Sequence, residues 1–370
     1  MSSPDAAVTG QGSGPLRGVR VLEFAGIGPG PYCAMLLADL GAEVIRVDRP
    51  GGNGWPNPIV DRGRHVIEID LHAQEGIRLC QRAAEKADAL VEGFRPGVME
   101  RLGLGPQELL QRNPRLVYGR VTGWGQAGPL ARSAGHDIDY IALTGALAAM
   151  GAPHDPPTPP LNLVGDLGGG ALFLAFGIVA ALWERERSGR GQVVDAAIVD
   201  GVSSMMSMFA GLPSDTGASL VRERSLLGGA APFYRCYACS DGQYIAVGAL
   251  EPRFYAELLE RIAAPVELQH DQYGTANWPE RCKLLEKLFS LKSREQWSRL
   301  LEGTDACCAP VLTLTEARNH PHLIERGTYI DVCGVSQVAP VPRFSRTPGA
   351  VVGQGSGRAA LRNWGVALDE

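Results

Sequence analysis

Two residues in this chain have the type and surroundings to move protons. His136 lies in the run Gly135-His136-Asp137-Ile138-Asp139-Tyr140, and Asp166 lies in Asn162-Leu163-Val164-Gly165-Asp166-Leu167-Gly168-Gly169-Gly170. A histidine titrates near neutral pH and serves as acid or base, although a lone histidine is as often structural. An aspartate opening an apolar helix is an ordinary N-cap. Capping alone does not require three following glycines, each of which costs a helix roughly 1 kcal/mol against alanine. That expense predicts a ligand close to the backbone, beside free N–H groups and a positive dipole end that suit a developing oxyanion. A thioester enolate is one such species.

Arginines form the third element: Arg46 and Arg49, Arg62 and Arg64, Arg95 and Arg101. They fall at or beyond the carboxyl ends of expected strands, where open α/β sheets bind ligands, and together suit a phosphorylated nucleotide. The elements that must position all these groups alternate. Strands are expected at residues 19–25, 42–48, 65–71, 89–94, 116–123 and 192–198, separated by helical periodicity at 32–40, at 74–87, after 135–137 and from 166 to about 189. This is the pattern of βαβ units and a mainly parallel sheet, a large Rossmann-like open α/β domain.

The organisation expected along the chain is a disordered leader at 1–14, the large domain at 15–200 and a linker at 201–229. A small α+β domain at 230–318 opens with a hairpin around Ser240-Asp241-Gly242, and a segment at 319–370 returns to the large domain. Among 370 residues, 45% are hydrophobic and 20% charged, in the range of a globular enzyme. A net charge of −5 excludes broad nucleic-acid binding. The apolar run at 171–183 is shorter than the roughly 20 residues that cross a bilayer, so no membrane span is expected. Eight irregularly spaced cysteines suit reduced thiols in the cytoplasm.

Several motifs fail on inspection. The turn GIGPGP at 26–31 places Pro31 where a dinucleotide fingerprint needs its last glycine, and two of its prolines remove N–H groups. Cys236-x-x-Cys239 lacks a second ligand pair, so no metal site is expected. Neither a G-x-S-x-G nor a Walker A sequence is present.

From Pro15 onward the chain resembles the class III CoA-transferase superfamily, and within it the α-methylacyl-CoA racemases. The resemblance is carried by residues 14–31, by Leu37-Ala38-Asp39-Leu40-Gly41-Ala42-Glu43-Val44-Ile45, and by Glu92-Gly93-Phe94-Arg95-Pro96-Gly97-Val98. It continues through the His136 and Asp166 runs to Ala249-Leu250-Glu251-Pro252 and residues 342–348. It implies an interlocked homodimer whose active sites lie between the large domain of one chain and the small domain of the other. The implied substrate is an acyl-CoA thioester, with no cofactor beyond the CoA that the substrate carries.

By position, His136 and Asp166 match the family's two proton-transfer groups, and Glu251 matches a carboxylate that supports the histidine from the partner chain. CoA contacts carry over to Arg49, to Ile69, Asp70, Leu71 and His72, and to Gly93, Phe94, Arg95 and Arg101. They extend to Gly135, Asp137, Ile138, Asp139 and Tyr140. His72 departs from the lysine often found there, which weakens that phosphate contact. Ile27 and the methionines 205, 206 and 208 are candidates for an acyl channel. The implied reaction inverts the α-carbon of a 2-methylacyl thioester. Two alternatives are a CoA transferase with Asp166 as nucleophile and a non-catalytic acyl-CoA binding protein.

Overall fold

The computed structural model describes residues 13–212 and 220–368. Most of the expected leader (residues 1–12) and part of the expected linker (residues 213–219) lie outside the described residues. Ser13 and Gly14, the end of that leader, are tied down: the Ser13 hydroxyl donates to the Pro348 carbonyl at 3.0 Å, and a β-carbon on Gly14 would strike the Leu40 carbonyl.

The chain divides into two compact units. The first takes Met1–Thr144, Leu161–Met205 and Ile324–Glu370; the second takes Gly145–Pro160 and Met206–Leu323. Residues 145–160, expected in the large domain, thus belong to the second unit. The described part of the expected linker includes the end of helix Ile198–Met205, helix Ser207–Ala210 and a 3-10 turn at Arg222–Arg224.

The first unit is built on seven parallel strands. These are β1 (Arg20–Phe24), β2 (Glu43–Asp48), β3 (Arg64–Glu68), β4 (Ala89–Glu92), β5 (Val117–Thr122), β6 (Val193–Ala197) and the edge strand β12 (Gly355–Ser356). Their order is β12-β3-β2-β1-β4-β5-β6. Successive residues point to opposite faces of a strand, and here both faces are covered. Leu22, Phe24, Ile45, Leu90 and Tyr118 pack with helices Gln74–Ala84 and Gly357–Asn363 on one side. Val21, Val44, Val91 and Val117 pack with helices Pro29–Asp39 and Phe173–Ser188 on the other. Each such apolar side chain contributes roughly 1.5–3 kcal/mol when fully buried.

The C-terminal segment adds a hairpin, β10 (Tyr329–Val332) with β11 (Val335–Val338). The Trp364 indole N–H donates to Glu43 Oε2 at 2.7 Å. The continuous helical stretch Leu163–Ser188 is long and apolar enough by composition to cross a membrane, but Leu174, Ile178, Ala181 and Leu182 of it lie in the sheet's core.

In the second unit, β7 (Tyr234–Ala238), β8 (Tyr244–Gly248) and β9 (Cys308–Pro310) form an antiparallel sheet. Gly242, at φ 74°, makes the first hairpin turn. Three helices (Pro252–Arg261, Trp278–Phe289 and Arg294–Leu301) accompany it, and its core includes Phe233, Tyr237, Trp278, Phe289 and Trp297. The Trp297 indole N–H donates to the Phe289 carbonyl at 2.8 Å, which keeps its polar tip satisfied inside.

Candidate active site

The strand order runs outward in opposite directions from β1 and β4, so the crevice beyond their carboxyl ends is the topological switch point where open α/β sheets take ligands. Ile27 follows β1, Arg49 follows β2, residues 69–72 follow β3, and Gly93, Phe94 and Arg95 follow β4. The expected contact residues therefore share one end of the sheet.

His136 is the N-cap of helix Asp137–Leu143, with extended backbone angles of −132° and 174°. Its N–H donates to Asp139 Oδ2 at 2.9 Å, and its carbonyl accepts from the Asp139 N–H at 2.9 Å. This reciprocal capping fixes the backbone of an exposed histidine. Tyr140, one turn on, donates its hydroxyl to the Gly135 carbonyl and meets Trp124 edge to face at 4.8 Å. A β-carbon on Gly123 would lie 2.0 Å from the Tyr140 ring, so that glycine makes room for the aromatic wedge.

Asp166 is half-buried inside a π-helix, Leu163–Leu172, whose N-cap is Asn162. The expectation that Asp166 itself caps the helix is corrected: the helix begins three residues earlier, and Asp166 stands in its first turn. Asn162 Nδ2 donates to Asp166 Oδ2 at 3.2 Å. On the opposite side the β1 loop passes close enough that a β-carbon on Gly28, at φ 70°, would lie 3.0 Å from the same oxygen. Burial raises the Asp166 carboxyl above its ordinary value; the Asn162 hydrogen bond opposes this, the Asp137 charge adds to it, and His136 lowers it.

The glycines after Asp166 also have a different cause from the one expected. A β-carbon on Gly169 would meet Val202 at 2.6 Å, one on Gly170 would meet Ile198 Cγ1 at 3.0 Å and Pro29 Cβ at 3.1 Å, and Gly168 faces Met205. Gly169 and Gly170 are bare so that helix Ile198–Met205 and the Pro29 helix start can pack against this segment.

The arginines separate into two groups. Arg46 pairs with Asp48 at 2.8 Å and Asp61 at 2.7 Å, Arg62 with Asp39 at 2.5 Å, and Arg64 with Glu23 at 3.0 Å, all buried. These three are structural cations and are withdrawn as ligand contacts. Arg49, Arg95 and Arg101 are exposed and carry no ion pair among the described residues. The Arg101 guanidinium reaches within 3.3 Å of where a Gly97 β-carbon would lie, close along the chain to Arg95.

A family model for CoA-transferase family III matches residues 16–354. The chain belongs to CoA-transferase family III. It is 46% identical to the alpha-methylacyl-CoA racemase of Mus musculus over 335 residues, 90% of this chain and 87% of that one. Against the alpha-methylacyl-CoA racemase of Homo sapiens it is 42% identical over 315 residues, 85% of this chain and 82% of that one. Its fold matches a CAIB/BAIF family protein from Brucella suis with a TM-score of 0.80 at 27% identity, covering 95% of this chain and 99% of that one.

Among the positions carried over from the family, Asp137 is turned inward. Only 7% of it is exposed, and its carboxylate accepts from the Asp166 N–H at 2.6 Å, so that carboxylate is not offered to CoA. Ile69 is a core residue of the sheet, 6% exposed, while Asp70 and His72 are exposed and joined by a 2.9 Å bond from the His72 N–H to Asp70 Oδ1. Ile27 and Ile138 present apolar side chains to solvent, 63% and 44% exposed. Glu251 caps helix Pro252–Arg261 in the second unit and is exposed. Sequence reasoning did not single out Asn162 as the donor to Asp166; its signal was an amide four residues ahead of a carboxylate. Among the described residues no cluster of three or more His, Cys, Asp or Glu could hold a metal ion.

Proposed function

We propose that this chain inverts the α-carbon of 2-methylacyl-CoA thioesters, with His136 and Asp166 as the two proton-transferring groups. The observation that carries the reading is the joining of two helix starts at one end of the sheet: the residue after His136 grips the backbone of Asp166. The similarity to two alpha-methylacyl-CoA racemases supplies the substrate class. A proton beside a thioester carbonyl is weakly acidic, so its transfer needs a placed base, a donor for the enolate oxygen and little water. His136 and Asp166 flank the α-carbon; one takes the proton and the other returns it on the opposite face.

The donor for the enolate differs from the one expected at the Asp166 helix start, because that N–H is already taken by Asp137. The Asp137 and Ile138 N–H groups, which open the helix after His136 and have no acceptor among the described residues, supply it instead. Arg49, Arg95 and Arg101 meet the phosphates of CoA.

The reading includes a homodimer in which Glu251 of one chain orients His136 of the other. An exposed stripe on the Leu163–Ser188 helix (Leu172 50%, Phe176 74%, Val179 40%, Trp183 70%) supports it, since apolar faces of this kind are covered by a partner. The reading puts the activity in the cytoplasm, which eight irregularly spaced cysteines support.

Deuterium exchange from solvent at the α-carbon of a 2-methylacyl-CoA tests the reading. His136→Ala and Asp166→Ala are expected to lose about 10²–10⁴-fold each. Full exchange in both variants would remove the assignment, and a hydroxylamine-trapped adduct on Asp166 would turn it toward CoA transfer.

A further inference from the structure

The helix that carries Asp166 does not cap itself. Asn162, its N-cap, makes no side-chain capping bond; its amide instead reaches the Asp166 carboxylate. The first-turn donors are met from another element. Asp137 Oδ1 accepts from the Asp166 N–H at 2.6 Å, and the neighbouring Gly165 N–H acts on the same carboxyl, lowering it. Gly165 is required for the approach: a β-carbon there would lie 2.3 Å from Asp137 Oδ1.

The arrangement is costly, which argues that it serves more than packing. Asp137 is 7% exposed, and among the described residues its Oδ2 has no hydrogen-bond partner and no cation is paired with it. Burial raises its carboxyl, and the two backbone bonds oppose the rise. A buried carboxylate facing only N–H groups and a helix dipole is a weak way to gain stability. It is a direct way to fix two chain segments, because Asp137 is covalently next to His136 and hydrogen-bonded to the amide of Asp166 itself.

We infer that Asp137 is the positioning residue of the proton-transfer pair, an N-cap supplied from a separate helix that sets the separation of His136 and Asp166. Its charge has a second effect. The titratable groups acting on Asp166 are Asp137, which raises its carboxyl, and His136, which lowers it. Tyr140, on the same helix as Asp137, is titratable and feels the Asp166 charge, while Gly28, Pro29, Ile198, Val202 and Met205, which meet this segment from the other elements packed on it, are uncharged. Asp137 thus holds both the position and part of the basicity of Asp166.

This inference rests on the racemase reading above. The test compares Asp137→Ala and Asp137→Asn by kcat, KM and the pH profile of α-proton exchange, with amide hydrogen exchange at Gly165 and Asp166 measured separately. Asp137→Ala, which removes acceptor and charge, is expected to lower kcat about 10²-fold, the effect of a displacement near 1 Å, with little change in KM, and to lose protection at both amides. Asp137→Asn keeps an acceptor oxygen and is expected to recover most of that loss, with the acid limb moved to lower pH.

A folded Asp137→Ala with wild-type kcat, or one raised in KM alone, would overturn the inference, the latter by making Asp137 a substrate contact. If Asp137→Ala does not fold, Asp137→Asn decides: an unmoved acid limb refutes the electrostatic part, and unprotected amides refute the clamp. Absence of exchange in the wild-type protein, with amide protection still governed by Asp137, would defeat the racemase reading and leave the clamp standing.

Discussion

A β-carbon on Gly201 would stand 2.0 Å from the carbonyl oxygen of Gly169. Helix Ile198–Met205 therefore lies backbone to backbone against the segment that carries Asp166, and the obstacle is main chain, which cannot rotate away. Alanine would gain roughly 1 kcal/mol of helix propensity at position 201, but overpacking of this kind costs about 1–3 kcal/mol. Gly201→Ala is expected to lower the urea midpoint and to reduce α-proton exchange by displacing Asp166. A variant more stable than wild type would show that the helices have room to part.

The same contact explains what the sequence could and could not disclose. Alternation of β-branched runs with helical periodicity made the parallel sheet legible, because strands buried on both faces are apolar throughout and flanked by turn residues. Strand β12, two residues long and far along the chain from its partner β3, carries no such signal. Gly168, Gly169 and Gly170 announced a close approach without naming the neighbour, and composition cannot distinguish a ligand from a helix 30 residues downstream. Arg62 and Arg64 looked like ligand cations because their carboxylates, Asp39 and Glu23, lie 23 and 41 residues away. His136 and Asp166 were legible as types; the Asp137 carboxylate between them was visible only once its burial was.

The two groups of arginine should separate on substitution. Arg49→Ala, Arg95→Ala and Arg101→Ala are expected to raise the KM for acyl-CoA about 10-fold, as for loss of a charged hydrogen bond, with stability unchanged and with binding weakened further by salt. Arg64→Ala leaves Glu23 buried and unpaired, along with the Arg62 carbonyl that Arg64 meets at 2.8 Å. Its expected cost is about 3–5 kcal/mol, read as a fall in Tm with little change in KM among molecules that remain folded. Raised KM without loss of stability in Arg64→Ala would return it to the ligand site.

Asp166 should also show itself in stability. Its carboxyl is held above the ordinary aspartate value of about 3.9, so the folded state binds that proton more tightly than the unfolded chain. Stability from this group therefore falls as pH rises from the unfolded value through the raised folded one, and the penalty is complete above the folded value. Asp166→Asn removes the charge while keeping an oxygen for Asn162. It is expected to be inactive yet more stable at neutral pH, with the advantage shrinking as pH is lowered toward the unfolded value of about 4. Thermal melts of both proteins across this range measure it, and a less stable Asp166→Asn would mean that the charged form is favoured in the fold.

The dimer proposal makes a prediction that a single-chain active site does not. If His136 of one chain works with Glu251 of its partner, co-expressed His136→Ala and Glu251→Ala chains form mixed dimers with one doubly damaged site and one intact site. Random pairing places about half of the chains in mixed dimers, so about a quarter of wild-type exchange should return from two inactive parents. A site holding His136 and Glu251 of the same chain gives no recovery, because every site then lacks one of the two. The recovered activity should scale with the mixed fraction isolated through two affinity tags, and a purified mixed dimer should exchange at about half the wild-type rate. Recovery absent from that species would place Glu251 beside the histidine of its own chain, or away from the reaction altogether.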